Sequence, residues 1–249
     1  MFERFILASS LQRIEKRFTM AQLPEPSYTP SYNIKPGDNT LVIAQGQNHQ
    51  FQQFKFGMLI QTQIRSFIRA EGNKNLNDDP KYSGSKAIFL MPEYKKLIRF
   101  NRCIIPADAF IIKAPDNYYL VYLQNKKRPF AFAGLHTEQT FAIITVPANP
   151  LLAQLGQKRM PVILNPNDEY RWLKADTPLS GILQALIQYP ATLMNAYPIA
   201  APLDAVDDVS LVQPTGKPVY QEQMEYIPLR KQKKTFSSST SFSDRLKSS

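Results

Sequence analysis

The chain has 249 residues with 30 basic and 20 acidic side chains, is 43% hydrophobic, and is long enough to bury a substantial core. No apolar run approaches the roughly 20 residues of a membrane-spanning helix, and the lone Cys103 excludes an internal disulfide and favours a cytoplasmic location. Two histidines and one cysteine without close spacing argue against a zinc site, and we expect no metal or cofactor. The net charge of +10 fits either a polyanionic partner or simple solubility.

Helices are predicted near the two ends of the chain. The segment SSLQRIEKRF predicts the first, with Ser9 and Gln12 as a capping-box pair. The segment NPLLAQLGQ predicts a short helix with Asn149 as its cap, Pro150 at its first position and Gly156 just past its end. The same order of cap and proline recurs in NPNDEYRWL at 165–173 and in TPLSGILQALIQY at 177–189.

Strands are predicted for the middle of the chain, where β-branched and aromatic residues are bounded by turn residues. The candidates are TLVIAQ at 40–45, FKFGMLI at 54–60, LIRFNRCII at 97–105, YYLVYLQ at 118–124, RPFAFAGL at 128–135 and TFAIITV at 140–146. The fourth and fifth strands are expected to form a hairpin around Asn125–Arg128. The Pro-rich stretch 23–39 predicts an ordered loop.

These elements do not alternate as βαβ units, so they predict an α+β fold with a strongly curved, barrel-like mixed sheet and peripheral helices. No linker interrupts the body, and we expect a single domain over residues 1–225. Residues 226–249 form a basic, Ser-rich tail without apolar periodicity, which we expect to be disordered.

Eight sequence blocks in the same order resemble the SOS response-associated peptidase (SRAP) family of abasic-site processing proteins. They are MFERF…IEKRF, PSYNIKPG, FGMLI, IRAE, RCIIPADAF, AFAGLH, IITVPAN and KRMPVIL, and they cover residues 1–220. The resemblance implies a single α+β domain with a barrel-like sheet and a groove for single-stranded DNA. In that family an N-terminal cysteine captures the aldehyde of an abasic site, which gives a stable DNA–protein crosslink.

The four positions that carry this chemistry in the family hold other residues here. Phe2 stands in place of the cysteine, and Phe67 in place of the Asn of Asn-Ala-Arg. Ile112 replaces the Glu of Gly-Phe-Tyr-Glu-Trp, and Gln157 replaces the His that precedes Asp-Arg-Met-Pro. Loss of one acid–base group commonly costs about 10²–10⁴-fold in rate. We therefore expect no catalytic residue in this chain, which makes it a pseudoenzyme.

The positions that contact DNA in the family are largely retained. The resemblance assigns Arg4, Arg69 and Arg159 to the phosphate backbone, Pro36, Gly57 and Met160 to the floor of the groove, and Phe56 to base stacking in place of a Trp. Phosphate binding needs only cationic side chains and stacking only a π face, so neither depends on the lost acid–base groups. The alternative interpretation is that these arginines hold neighbouring loops together.

Other side chains with chemical potential are expected to have structural roles. Cys103 lies in an apolar run and predicts a buried core thiol. Asp108 is expected to hold backbone amides in a turn, and Glu71 to pair with Arg69. His136 stands where the family usually has a Trp, which favours packing over catalysis.

Three functions stay open at this level. The first is a monomeric, catalytically silent SRAP-like protein of the DNA damage response that binds single-stranded or abasic DNA. The second is an abasic-site enzyme that forms a Schiff base through Lys113 or Lys158. The third is a protein-interaction module without DNA binding, whose apolar pocket at the replaced positions is either filled by its own core or open to a peptide.

Overall fold

The structure, a computed structural model, describes residues 2–18, 28–46, 50–72, 86–124, 128–200 and 207–220. The strands are β1 Phe2–Leu7, β2 Ser31–Ile34, β3 Asn39–Ala44, β4 Phe51–Phe56, β5 Met58–Ile60, β6 Gln63–Arg65, β7 Phe67–Arg69, β8 Arg102–Ala107, β9 Ala109–Lys113, β10 Tyr118–Leu123, β11 Phe130–Thr137, β12 Thr140–Pro147, β13 Arg159–Pro161, β14 Ile163–Leu164 and β15 Met194–Ile199. The α-helices are α1 Leu11–Phe18, α2 Pro92–Lys95, α3 Leu97–Phe100, α4 Pro150–Gln154, α5 Pro166–Leu173 and α6 Leu179–Gln184, and 3₁₀ turns span Ala87–Leu90, Ala191–Leu193 and Val209–Val212.

The larger sheet closes into a barrel, as the sequence predicted. Its order is β13-β12-β4-β3-β8-β11-β14, and β12 also pairs with β11, so five strands form a ring. The pairing is mixed, because β12 runs parallel to β4 and to β7 while its other partners are antiparallel. Strands in such a ring have no open edge, which explains the run of buried residues along β8, β11 and β12. The α+β class is confirmed.

A second, antiparallel sheet of order β15-β10-β9-β1-β2 packs against the barrel. Phe2 and Phe5 of β1 contact the ring of Phe132 in β11 at centroid distances of 5.6 and 5.8 Å. Phe110 of β9 reaches the same ring at 6.0 Å. These edge-on and tilted aromatic contacts join both sheets in one hydrophobic core.

Three strand predictions were wrong in their partners or bounds. The candidate at 54–60 is divided at Gly57 into β4, which ends at Phe56, and β5, which begins at Met58. The hairpin expected around Asn125–Arg128 does not form, because β10 pairs with β9 and β15 whereas β11 pairs with β8, β12 and β14. The candidate at 97–105 begins as helix α3 and becomes strand only at Arg102. The buried Arg102 guanidinium donates to the carbonyls of Ile98 and Arg99, which stabilises a helix end at that point.

The predicted helix starts were correct at α4 and α5 and displaced by one residue at α1 and α6. Helix α6 begins at Leu179 with Pro178 as its cap, and at α5 the predicted cap Asn165 makes no capping hydrogen bond through its side chain. Asn149 caps α4 by accepting from the Leu152 amide at 3.0 Å, and Gly156 follows with φ of 74°. At α1 the cap is one residue later than predicted. The Arg13 amide donates to Ser10 Oγ, whereas Ser9 bonds to Asp108.

Asp108 has the structural role expected of it. Its carboxylate accepts from the amides of Ala8 and Ser9 at 2.8 and 2.7 Å and from Ser9 Oγ at 2.6 Å. These bonds fix the turn between β1 and α1 and hold it against the turn between β8 and β9, where Asp108 lies. The predicted Pro-rich loop also contains β2, which pairs with β1.

None of the helices in the described ranges combines the length and apolarity needed to cross a bilayer. The predicted tail at 226–249 and the domain end at 225 lie outside the described residues.

Candidate nucleic-acid interface

The four positions that the resemblance assigns to the family's chemistry lie together in the fold. Phe2 of β1 is the cross-strand partner of Ile112 in β9. Phe67 of β7 meets Phe2 edge-on, with 5.1 Å between ring centroids. Gln157 donates from Nε2 to the carbonyl of Lys113 at 2.7 Å, so it lies beside the end of the same strand.

This cluster is closed and apolar. Phe2 and Ile112 are each 1% exposed, and the rings of Phe110 and Phe132 cover Phe2 at 5.3 and 5.6 Å. Gln157 is also buried, and its Oε1 has no hydrogen-bond partner within the described residues. The sequence allowed two alternatives for this pocket, one filled by the protein's own core and one open to a peptide. The structure has the filled pocket. Hydrocarbon side chains at these positions can neither attack a carbonyl nor transfer a proton.

Two arginines meet across one threonine at the edge of this cluster. Arg69 of β7 is the parallel partner of Thr145 in β12. Arg159 of β13 approaches the same residue from the other side, with Nε donating to Thr145 Oγ1 at 3.0 Å and Nη2 to its carbonyl at 2.6 Å. Thr145 is itself fixed by a bond from Oγ1 to the Ile68 carbonyl at 3.0 Å. Strand β12 thus places both guanidinium groups at one site.

Glu71 completes the charge distribution of this site. Its Oε2 accepts from Arg159 Nη2 at 2.7 Å, so the predicted pair with Arg69 was wrong in its partner. Burial lowers the pKa of Arg159, and the nearby Arg69 lowers it further, whereas Glu71 acts in the opposite direction. Arg69 Nε and Glu71 Oε1 are buried without hydrogen-bond partners in the described part of the chain. Two cations and one carboxylate leave a net positive charge, which attracts an anion.

The third predicted phosphate contact, Arg4, lies on β1 between the cluster and β2. Its Nη1 donates to Asn33 Oδ1 at 2.9 Å, and its side chain is half-buried. Pro36 is exposed in a turn, where the Gly37 amide donates to the Phe56 carbonyl at 2.7 Å. Gly57 follows with φ of 120°, a conformation that glycine adopts without strain.

Two residues predicted for the groove lie in the interior. Phe56 is 1% exposed, and its ring stacks on Phe141 with 5.0 Å between centroids and an interplanar angle of 8°. A base therefore finds no free face on Phe56. Met160 is fully buried opposite Val146 and supports the barrel wall.

The two lysines considered for a Schiff base are both exposed. Lys113 Nζ lies 5.8 Å from the centroid of the Tyr118 ring. A nucleophilic lysine is usually desolvated, and neither Lys113 nor Lys158 has that environment.

Thr145 is the residue that sequence analysis missed. Its importance comes from its position between β7 and β13, and no local motif around IITVPAN signals that position. Among the described residues, no group of His, Cys, Asp and Glu side chains has the arrangement of a metal site.

Comparison with known proteins gives the family. Residues 1–206 match the family model described as SOS response associated peptidase (SRAP). The abasic site processing protein YoqW of Bacillus subtilis is 33% identical over 216 residues, which cover 80% of this chain and 92% of YoqW. YobE of the same organism, also named an abasic site processing protein, is 31% identical over 214 residues, which cover 80% of this chain and 94% of YobE.

Solved structures share the fold. A Bacteroides thetaiotaomicron protein superimposes with a TM-score of 0.66 at 20% identity, covering 85% of this chain and 98% of that one. A phage-related protein of Bordetella bronchiseptica gives a TM-score of 0.60 at 23% identity, covering 80% of this chain and 94% of that one. Sequence and fold agree, and the chain belongs to the SOS response associated peptidase family.

Proposed function

We propose that this protein binds single-stranded DNA, abasic DNA included, in the DNA damage response, without forming the covalent crosslink typical of its family. The observation that supports this most directly is the closed cluster of Phe2, Phe67 and Ile112 beside the paired cations Arg69 and Arg159. The relatives named abasic site processing proteins support DNA as the partner.

Loss of the chemistry follows from the contents of the cluster. Covalent capture of an aldehyde requires a nucleophile, and ring closure requires proton transfer. Phe2 supplies no thiol, and the buried Ile112 and Gln157 supply neither a carboxyl group nor an imidazole. The loss of one such group alone lowers rates by about 10²–10⁴-fold.

Retention of DNA binding follows from the arginines. Guanidinium groups form two-pronged hydrogen bonds with phosphate, and their charge is kept at every physiological pH. Glu71 competes for Arg159 in the free protein. A phosphate at this site therefore shares Arg159 with Glu71 and depends more strongly on Arg69.

Binding is tested by fluorescence anisotropy with a labelled single-stranded dT20 and its abasic analogue between 50 and 200 mM salt. We expect salt-dependent binding, and Arg69→Gln should reduce the slope of log K against log salt by about 0.7. Arg171→Gln, on the exposed face of α5, is the matched control because it removes the same charge elsewhere. An absence of binding, or equal effects of the two variants, would refute DNA binding at this site.

Crosslinking is tested by incubating the purified protein with abasic single-stranded DNA and running a denaturing gel. A family member with an N-terminal cysteine serves as the positive control, and we expect no adduct from this protein. A borohydride-stabilised adduct that disappears in Lys113→Ala or Lys158→Ala would instead support the Schiff-base enzyme. A folded protein that binds no DNA would support the interaction module.

We further propose that the protein acts as a cytoplasmic monomer, associated with the nucleoid when bound to DNA, with one domain over residues 1–225. The basic tail at 226–249 then adds nonspecific attraction to phosphate. Removing the tail should weaken binding at 50 mM salt and leave the preference for abasic DNA unchanged. Light scattering of the full chain tests the monomer.

A further inference from the structure

A second basic surface lies on the short helices α2 and α3. The side chains of Lys95, Lys96 and Arg99 are exposed, and the ring of Phe100 is 62% exposed. We call these four residues the α2–α3 surface. Residues 86–100 as a whole hold four basic side chains and one acidic side chain, Glu93.

The backbone places these side chains on one turn. The amides of Arg99 and Phe100 both donate to the carbonyl of Lys96, at 3.2 and 3.1 Å. Beneath the turn, Ile98 is fully buried, and the Arg102 guanidinium binds the carbonyls of Ile98 and Arg99. The exposed Phe100 therefore stands on a well-supported helix end and is not the result of a frayed terminus.

Within the described residues, the cations of this surface have no acidic partner. In the part of the chain that the structure describes, no carboxylate lies within ion-pair distance of Lys95, Lys96 or Arg99. Elsewhere exposed or half-buried cations do have such partners, as Arg17 has Glu169 at 2.6 Å. Three adjacent uncompensated cations repel one another, and a polyanion relieves that repulsion.

The surface adjoins the segment that carries the arginine pair. The 3₁₀ turn before α2 is fixed by a bond from the Ile88 amide to the Ala70 carbonyl at 3.0 Å. A Cβ on Gly72 would lie 3.2 Å from the Met91 side chain, so the residue that precedes α2 lies against the end of the segment that carries Arg69. Burial and the charge of Glu93 raise the pKa of Tyr94 in α2, whereas Arg65 lowers it. Arg65 ends β6, so the β5–β6 hairpin lies near α2.

We propose that the α2–α3 surface binds nucleotides that flank the arginine pair, with one base stacked on Phe100 and adjacent phosphates on Lys96 and Arg99. Exposed aromatic rings between cations are the usual means of binding single strands without sequence preference. This inference rests on the proposed function, because it assigns more of the same DNA strand to the protein. The chain's own residues 229–249 are a poor occupant, since they hold six basic side chains against one acidic.

A matched control exists on α5. Tyr170 is also 62% exposed and has an arginine, Arg171, next to it in the sequence, as Phe100 has Arg99. In contrast to Phe100, it is preceded on its helix by two acidic residues, Asp168 and Glu169. An acidic helix with an equally exposed aromatic ring should not attract DNA. Comparing the two sites separates a specific surface from a general effect of removing a ring.

The experiment measures binding of the full chain to fluorescein-labelled dT20 by anisotropy, with folding of every variant checked by circular dichroism. Phe100→Ala should weaken binding roughly tenfold, as expected for one stacked base. Lys96→Gln/Arg99→Gln should lower the slope of log K against log salt by about 1.4, because two phosphate contacts are lost. Tyr170→Ala should change neither quantity.

The outcomes separate this inference from the proposed function. Only the α2–α3 surface is refuted if the wild-type protein binds dT20 and Arg69→Gln weakens binding, while the α2–α3 variants have no effect of their own. In that case Phe100→Ala and Tyr170→Ala have the same affinity, and the double variant keeps the wild-type salt slope. If the wild-type protein does not bind dT20 at 50 mM salt, the proposed function fails and the surface with it. Losses at both sites support both.

Discussion

Replacing Ile112 by glutamate introduces the residue type that the resemblance assigns to this position, and we expect it to destabilise the fold without creating activity. Ile112 is 1% exposed and lies opposite Phe2 and Tyr119 in the neighbouring strands. Loss of the buried side chain costs about 1.5–3 kcal/mol. A carboxylate without a partner in that space adds to this, so we expect a total loss of about 3–5 kcal/mol at pH 7.

The penalty should depend on pH with a definite sign. Burial raises the pKa of a carboxyl group in the folded state above its unfolded value of about 4.3. Below that value the group is protonated in both states, and the charge-related part of the penalty disappears. As pH rises, the unfolded chain ionises first and its free energy falls, so the Ile112→Glu protein becomes less stable relative to wild type. Ile112→Gln, of similar size without charge, should show a penalty that does not change with pH.

The measurement is urea unfolding at pH 4.5 and 7.5, followed by the fluorescence of Trp172, the chain's single tryptophan, which is fully buried. The gap between Ile112→Glu and wild type should widen at pH 7.5, and the gap for Ile112→Gln should not. A Glu variant as stable as wild type at pH 7.5 would show that the cluster is wet and open. Crosslinking of abasic DNA by this single variant would also refute the account of the site.

Three further predictions concern side chains outside the cluster. Burial lowers the pKa of His136, against a smaller opposing effect of the Glu138 backbone. The free energy of unfolding should therefore fall as pH drops below about 6.5. His136→Phe should remove that fall, and His49→Gln, at the chain's other histidine, should keep it. Burial raises the pKa of Cys103, so Ellman's reagent should detect no thiol in the native protein and one in urea; rapid native reaction would contradict the burial. Arg102 donates to four backbone carbonyls, so Arg102→Met should cost about 2–4 kcal/mol in urea unfolding, against less than about 0.5 for the exposed Arg99→Met.

The sequence allowed the fold class and the starts of α4 and α5 to be predicted because their signals are local. The Asn149–Pro150 pair fixes the start of α4 through a side chain that reaches only three residues along the chain. Strand partners are not local. Nothing between Tyr118 and Leu135 indicates that β10 joins β9 and β15 while β11 joins the barrel, since both outcomes bury the same apolar residues.

The convergence of the four replaced positions could be predicted from the resemblance, but the surroundings could not. Phe56 stands where the family has a Trp, and only the structure places its ring flat against Phe141. The pairing of Glu71 with Arg159 instead of Arg69 depends on Thr145 lying between β7 and β13. The arginines of these two strands are 90 residues apart in the sequence. Such contacts follow from sheet order and are invisible to local patterns.

Strand β7 shows how the proposed phosphate binding is compatible with an apolar cluster at Phe2, Phe67 and Ile112. Residues two apart on a strand face the same side, so Phe67 and Arg69 project together, with the buried Ile68 on the other side. Phe67 closes the cluster over Phe2 yet remains half-buried, while Arg69 stands next to it at the edge. A strand of DNA whose phosphate is held by Arg69 would therefore pass over a hydrocarbon surface where the family has a reactive pocket. Contact with the phosphate needs no depth in that pocket, whereas covalent capture of a sugar carbon does.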